Sequence, residues 1–192
     1  MKIIKNKVFK LLVALFILGV ILGIISYFLI DNESIKLNMN NYFEVIKNNQ
    51  FNYNLGIIKS LYTNYKYLII IFISGIILIG ILIAPIVIIL NGILLGISTI
   101  SIIVLYNIKG LFLMSLLLIP CILINQIIYI FASYYSINFN IRLYRTIKSN
   151  KLINIKYFSK NYFYIFIIFI IILTISSFFE IFISSNLIKL VV

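Results

Sequence analysis

The sequence has no histidine and no tryptophan, one cysteine, two prolines and four acidic residues. Each shortage excludes something. Without histidine, the commonest general base and the commonest metal ligand are missing. Cys121 has no second thiol to meet, so no disulfide forms within the chain. The acids are Asp31, Glu33, Glu44 and Glu180, and they offer no catalytic carboxylate pair. No Walker loop, Cys/His cluster or histidine-activated serine is present. Ser115, Ser133 and Ser136 read as hydrogen-bonding helix residues. The expectation is no enzyme, no cofactor and no metal. Charged side chains make up 10% of the chain, against roughly a quarter in a soluble domain.

Hydrophobic residues make up 64% of the chain. From Tyr67 to Ile108 there is no charged side chain at all. That stretch is roughly twice the ~20 residues a helix needs to cross a bilayer. At ~1.5 Å per residue it is about 63 Å long, or two crossings of a ~30 Å core. The chain is therefore expected to be an all-α, polytopic membrane bundle folded as a single integral domain, with membrane lipid as its surroundings. The abundance of Ile, Asn, Lys and Tyr points to AT-rich codons and a bacterial host.

About five spans are expected, at 11–30, 67–90, 91–107, 111–138 and 162–185. Lys2, Lys5, Lys7 and Lys10 precede the first. Its apolar run is longer than the ~7–15 residues of a signal-peptide core, and Ser26-Tyr27-Phe28-Leu29 is a poor cleavage site, so it reads as an uncleaved helix. Residues 31–66 form an outer loop, with Leu55, Ile58 and Leu61 at the spacing of a surface-lying amphipathic helix. Within 67–108 the chain turns near Pro85, which suits a helix start, or at Asn91-Gly92, a turn dipeptide. One half of this hairpin is allowed to be re-entrant if its turn is enclosed. Asn107 to Gly110 makes a second short turn, and Pro120 kinks the fourth span.

A net charge of +12 does not imply nucleic acid here. In a membrane protein, Lys and Arg mark the cytoplasmic side. The N-terminus and the 140–161 loop, with Arg142, Arg145, Lys148, Lys151, Lys156 and Lys160, carry ten of the basic residues and no acid. The opposite face carries six and three acids. This places the N-terminus inside and the C-terminus outside. Tyr27, Tyr62, Tyr65, Tyr67, Tyr106, Tyr144, Tyr157 and Tyr162 fall near the expected boundaries and supply the interfacial belt in place of tryptophan.

Polar groups inside a membrane are costly and call for a partner. Glu180 is the only acid within an expected span. Asn125 and Gln126 follow Pro120, and Asn91 lies in the long uncharged stretch; these amides are placed to hydrogen-bond across helices or to meet Glu180. Glu180, Asn125, Gln126 and Asn91 are the candidate intramembrane contact or partner-binding residues. Gly19-x-x-x-Gly23 and Gly92-x-x-x-Gly96 are small-residue edges for close helix packing, and Gly75 and Gly80 add another.

Four stretches, in order, resemble the stage II sporulation protein M family. Asn64–Gly75 is a polar entry into a span ending in glycine. Asn91-Gly-Ile-Leu-Leu-Gly96 is similar to the family's Asn-Gly turn. Leu116–Pro120, with Ala132 and Ser133 beyond it, resembles its proline-bearing fourth span. Ser176–Ser185 resembles its closing span, where Glu180 is followed by an aromatic. The resemblance covers about Phe51 to the C-terminus. Asn125 stands about where much of the wider family has a second acid, and a second proline expected there is missing.

The resemblance implies a scaffold at the septum or engulfing membrane of a sporulating cell. Its partners would be the peptidoglycan-degrading stage II sporulation proteins D and P. The competing reading is a small transporter or permease subunit, with Asn91, Asn125 and Gln126 near mid-membrane.

Overall fold

A computed structural model describes residues 6–29, 33–48, 50–77, 80–117, 122–148 and 155–191. Among them the chain forms α1 (Lys7–Leu29), α2 (Glu33–Lys47), α3 (Tyr53–Ile76), α4 (Gly80–Leu117), α5 (Leu123–Lys148) and α6 (Ile155–Val191), and no strand. The helix ends follow local chemistry. Asn6 caps α1, its Oδ1 accepting from Val8 N at 3.0 Å, and Asn52 caps α3 by accepting from Leu55 N at 3.3 Å. Arg145 and Lys148 lie in the last turn of α5, where positive charge suits the helix dipole.

The bundle is turned inside out relative to a soluble protein. Large apolar side chains of α1, α4 and α6 point outward: Leu18, Leu22, Leu82, Ile86, Ile168 and Ile171 are all about half exposed. Polar side chains of α3 and α5 point inward, and Ser74, Ser136 and Asn140 are essentially inaccessible. An apolar exterior of that extent is stable only against lipid. Among the described residues, three helical segments are long and apolar enough to cross a membrane: Lys7–Leu29, Ile81–Phe112 and Ser159–Ile183. Of the other two long helices, α5 carries buried residues along most of its length, while α3 turns a polar face toward it and leaves Ile69, Ile73 and Ile76 about half exposed.

Contacts give the helix directions. On α1 and α4, Gly19 lies against Ile89 and Gly92, and Gly23 against Ile93 and Gly96, so these helices run parallel. The pairs Asn64–Tyr129, Ile71–Ser136 and Ile77–Asn140 make α3 and α5 parallel. The pairs Ser60–Glu180, Asn64–Ser177 and Phe72–Tyr162 make α6 antiparallel to α3.

The turn inside the uncharged stretch lies earlier than either position favoured by the sequence. Helix α3 ends at Ile76 and α4 begins at Gly80, so the break falls at 77–79. Pro85 sits inside α4, which continues through Asn91-Gly92. Local turn signals yield here because proline and glycine are tolerated in membrane helices. Asn91 turns its amide back onto its own helix, donating to Val87 O at 2.9 Å, and Gly92 is consumed in packing. The non-helical backbone of α4 falls instead at Asn107, with φ 49° and ψ −125°. That positive φ suits asparagine and reverses the chain. The second arm folds back until Gly110 touches the backbone of Ile102 and Ile103.

Other boundaries also differ from expectation. The described parts of the 111–138 segment belong to two helices, α4 to Leu117 and α5 from Leu123. Pro120 lies outside the described residues. The 31–66 loop contains a true helix, α2, while Leu55, Ile58 and Leu61 belong to the opening turns of α3. Ile46 of α2 packs with Ile102 and Met114, on the two arms of the α4 reversal.

The α1–α4 contact is backbone against backbone. A Cβ on Gly19 would sit 2.5 Å from Ile89 O, and one on Gly92 would sit 2.6 Å from Phe16 O. Such close approach maximises dispersion where lipid supplies no hydrophobic drive. Substituting Gly23→Val is expected to cost about 1–3 kcal/mol or more, because the blocking atoms belong to the Ile93 backbone and cannot swing away. Gly56→Ala meets the Phe51 ring at 2.8 Å and Ile181 Cδ1 at an ordinary 3.5 Å, side-chain atoms that can shift, and is expected to cost far less. Thermal unfolding of both variants in detergent checks the contrast, and equal losses contradict the backbone-contact account.

Candidate functional site

Glu180 lies on α6 one turn beyond Ser177, and Ser60 and Asn64 lie one turn apart on α3. Because α3 and α6 are antiparallel, the two polar pairs interlock. Ser60 Oγ donates to Glu180 Oε2 at 3.0 Å, and Asn64 Nδ2 donates to Ser177 Oγ at 2.9 Å. A longer contact of 3.4 Å joins Asn64 Nδ2 to Ser60 Oγ. From α5, the buried Tyr129 hydroxyl donates to Asn64 Oδ1 at 2.9 Å. Asn64 thus uses its NH2 toward α6 and its carbonyl oxygen toward α5. Tyr65 and Thr174 add a hydroxyl pair at 2.7 Å. Three helices are pinned in rotation by this one network.

Glu180 is half-buried and faces a cavity of about 610 Å³. Asn41 and Val45 of α2, Asn52, Gly56 and Lys59 of α3, and Ile181 of α6 form its rim. No Lys or Arg among the described residues forms an ion pair with the carboxylate. Nor is there any group of three His, Cys, Asp or Glu among the described residues that would hold a metal. The site therefore presents one carboxylate, hydroxyls and amides, with the Lys59 ammonium at its rim.

The other singled-out amides do not join Glu180. Asn91 is satisfied within α4. Asn125 and Gln126 are buried on the first turn of α5, and Asn125 Oδ1 and Gln126 Oε1 find no hydrogen-bond partner. Ser115 bonds back to Phe112 O at 2.8 Å and Ser136 reaches Ile71 O at 2.9 Å, whereas Ser133 Oγ is buried without a partner. The sequence reading missed Ser60, Tyr129 and Ser177 as members of the Glu180 network. The available signal was the one-turn spacing of Ser60–Asn64 and Ser177–Glu180. Gly75 packs at the far end of α3, where it makes room for the Tyr162 hydroxyl to donate to Phe72 O at 2.9 Å. Gly80 is the first residue of α4.

A model of the family described as stage II sporulation protein M matches residues 12–185. The chain belongs to the stage II sporulation protein M family. The matched region holds the whole Glu180 network and both glycine edges of the α1–α4 contact. No curated protein and no solved structure gives a match. Family membership makes this a sporulation-related membrane protein.

Tyr129→Phe keeps the ring and removes the donor to buried Asn64. It is expected to cost about 0.6–2 kcal/mol, the range for interhelical hydrogen bonds in lipid. Tyr62→Phe, at an exposed position of α3, is expected to leave stability unchanged. Denaturation in mixed micelles separates the two, and equal midpoints contradict a structural role for the Tyr129 hydroxyl.

Proposed function

We propose that this protein is a non-catalytic membrane scaffold that anchors peptidoglycan-degrading enzymes during forespore engulfment. The observation that carries this reading is the Glu180 pocket of a stage II sporulation protein M family member. It holds a carboxylate that no Lys or Arg among the described residues pairs with, has Lys59 at its rim, and opens beside α2. A site of that kind recognises and does not react. The expected partners are the wall hydrolases stage II sporulation proteins D and P. In this reading α1, α3, α4, α5 and α6 each cross the membrane, with the N-terminus inside and the C-terminus outside. The charge distribution supports that orientation. It sets α2 and the Glu180 pocket on the side where the wall lies, at the septum or engulfing membrane.

A transporter has less support. Carriers bind substrate where helices break at mid-membrane. Here α4 runs helically through Pro85, and Asn91 is satisfied by its own backbone.

Co-purification with the two hydrolases from sporulating cells tests the scaffold. Glu180→Gln keeps an acceptor for Ser60 and is expected to leave the protein folded while lowering hydrolase recovery severalfold. A deletion strain that completes engulfment normally overturns the proposal. For topology, a reporter fused after Val192 is expected to act only outside the cytoplasm. Activity inside contradicts the five-crossing arrangement.

A further inference from the structure

The opposite end of the bundle carries a second polar cavity, of about 420 Å³, unconnected with the Glu180 network. It forms where α1 begins, α5 ends and α6 begins. Arg142, Asn161 and Tyr134 line its polar side, and Tyr135, Phe139 and Ile165 its apolar side. The donors are suited to an anion. Arg142 is exposed and carries five N–H groups in a planar fork that matches phosphate oxygens. The Tyr134 hydroxyl accepts from Asn6 Nδ2 at 3.2 Å and so keeps its own proton to donate. Asn161 is exposed at the rim.

The surrounding charge has one sign. Lys7, Lys10, Arg145, Lys148 and Lys160 are exposed on the neighbouring turns of α1, α5 and α6. The described acids lie at the other end. Glu180 is some twenty residues along α6 from Lys160, roughly 30 Å at ~1.5 Å per residue. Glu33 and Glu44 ride on α2, which packs against the Asn107 reversal.

Depth identifies the source of the anion. The segments of α1 and α6 that are long and apolar enough to cross a membrane begin at Lys7 and Ser159 among the described residues. Asn6 and Asn161 border those two positions, so the cavity mouth stands at the level of lipid headgroups. Its aromatic and isoleucine wall continues toward the acyl region. Basic pockets between helix ends at this depth hold anionic headgroups.

We infer that this cavity is a binding site for the phosphate of an anionic phospholipid, held by Arg142 with Asn161 and Tyr134. A zwitterionic lipid fits poorly, because its headgroup cation would enter the basic cluster.

The test uses the full chain purified in mild detergent, titrated with phosphatidylglycerol or phosphatidylcholine and read by native mass spectrometry. One phosphatidylglycerol is expected to be retained at least tenfold more strongly than phosphatidylcholine. Arg142→Gln is expected to abolish the preference, and Asn161→Ala, at an exposed position with little bearing on folding, to weaken it severalfold. Lys148→Gln, a basic residue outside the cavity, is expected to leave it unchanged. Equal retention of both lipids overturns the inference. So does an equal loss in Lys148→Gln, which would mean diffuse surface attraction, and so does displacement of phosphatidylglycerol by millimolar inorganic phosphate, which would mean a soluble anion. A family scaffold that fails to recruit hydrolases leaves these outcomes untouched, so the two proposals fail separately.

Discussion

Everything in this bundle depends on one constraint: a polar side chain inside a membrane needs a protein partner. Helices α3 and α5 carry asparagines, serines and tyrosines at positions that lipid would not tolerate. Their polar faces are therefore drawn together inside the bundle, and the apolar faces of α1, α3, α4 and α6 are left to lipid. Asn64 shows how far the constraint reaches. Its two amide ends are claimed by different helices, Ser177 on α6 and Tyr129 on α5. At the far end of α3 Asn140 uses only its NH2, donating to the terminal carbonyls of Gly75 and Ile77, which a helix end leaves without partners, while its Oδ1 is buried with no partner among the described residues. Aromatic stacking closes that end, with Tyr162 lying between Phe72 and Phe139 at ring distances of 5.1 Å and 4.2 Å.

The two ends of the bundle differ in charge. One mixes acids and bases: the Glu180 carboxylate with Lys59 near it, α2 with Glu33 and Glu44 together with Lys36 and Lys47, and the α4 reversal. The other carries the ends of α5 and α6 with their lysines and arginines. A molecule polarised in this way meets different chemistry on each side of a membrane. The carboxylate pocket suits recognition of cationic or donor groups, and the basic cavity suits phosphate.

Several features were legible in the residues. The long uncharged stretch announced the membrane, Gly19, Gly23, Gly92 and Gly96 stood out as small edges, and Asn107 to Gly110 read as a turn. Glu180 was conspicuous as a lone acid in an apolar helix. The break at 77–79 was not legible, because no charge or proline marks it while Pro85 and Asn91-Gly92 give stronger local signals. Those signals apply in water. In lipid an exposed backbone is so costly that α4 stays helical through both. The partners of Glu180 were hidden for another reason. Whether Ser60 or Asn91 faces a carboxylate on α6 depends on the rotation of each helix, which periodicity constrains only where one face is polar. In α4 nearly every face is apolar.

The α1–α4 contact has a consequence for how the chain is assembled. Helix α1 packs on α4 and α5, both of which lie at least fifty residues later in the chain. Its glycine edge has no protein surface to meet until Gly96 has entered the bilayer. During synthesis α1 must therefore stand alone in lipid while α2, α3 and most of α4 are made. An all-apolar helix with its polar groups confined to the ends is suited to that wait, since nothing along it demands a partner at once. The helices that cannot wait are α3 and α5, whose polar side chains find one another only when Tyr129 and Asn140 arrive.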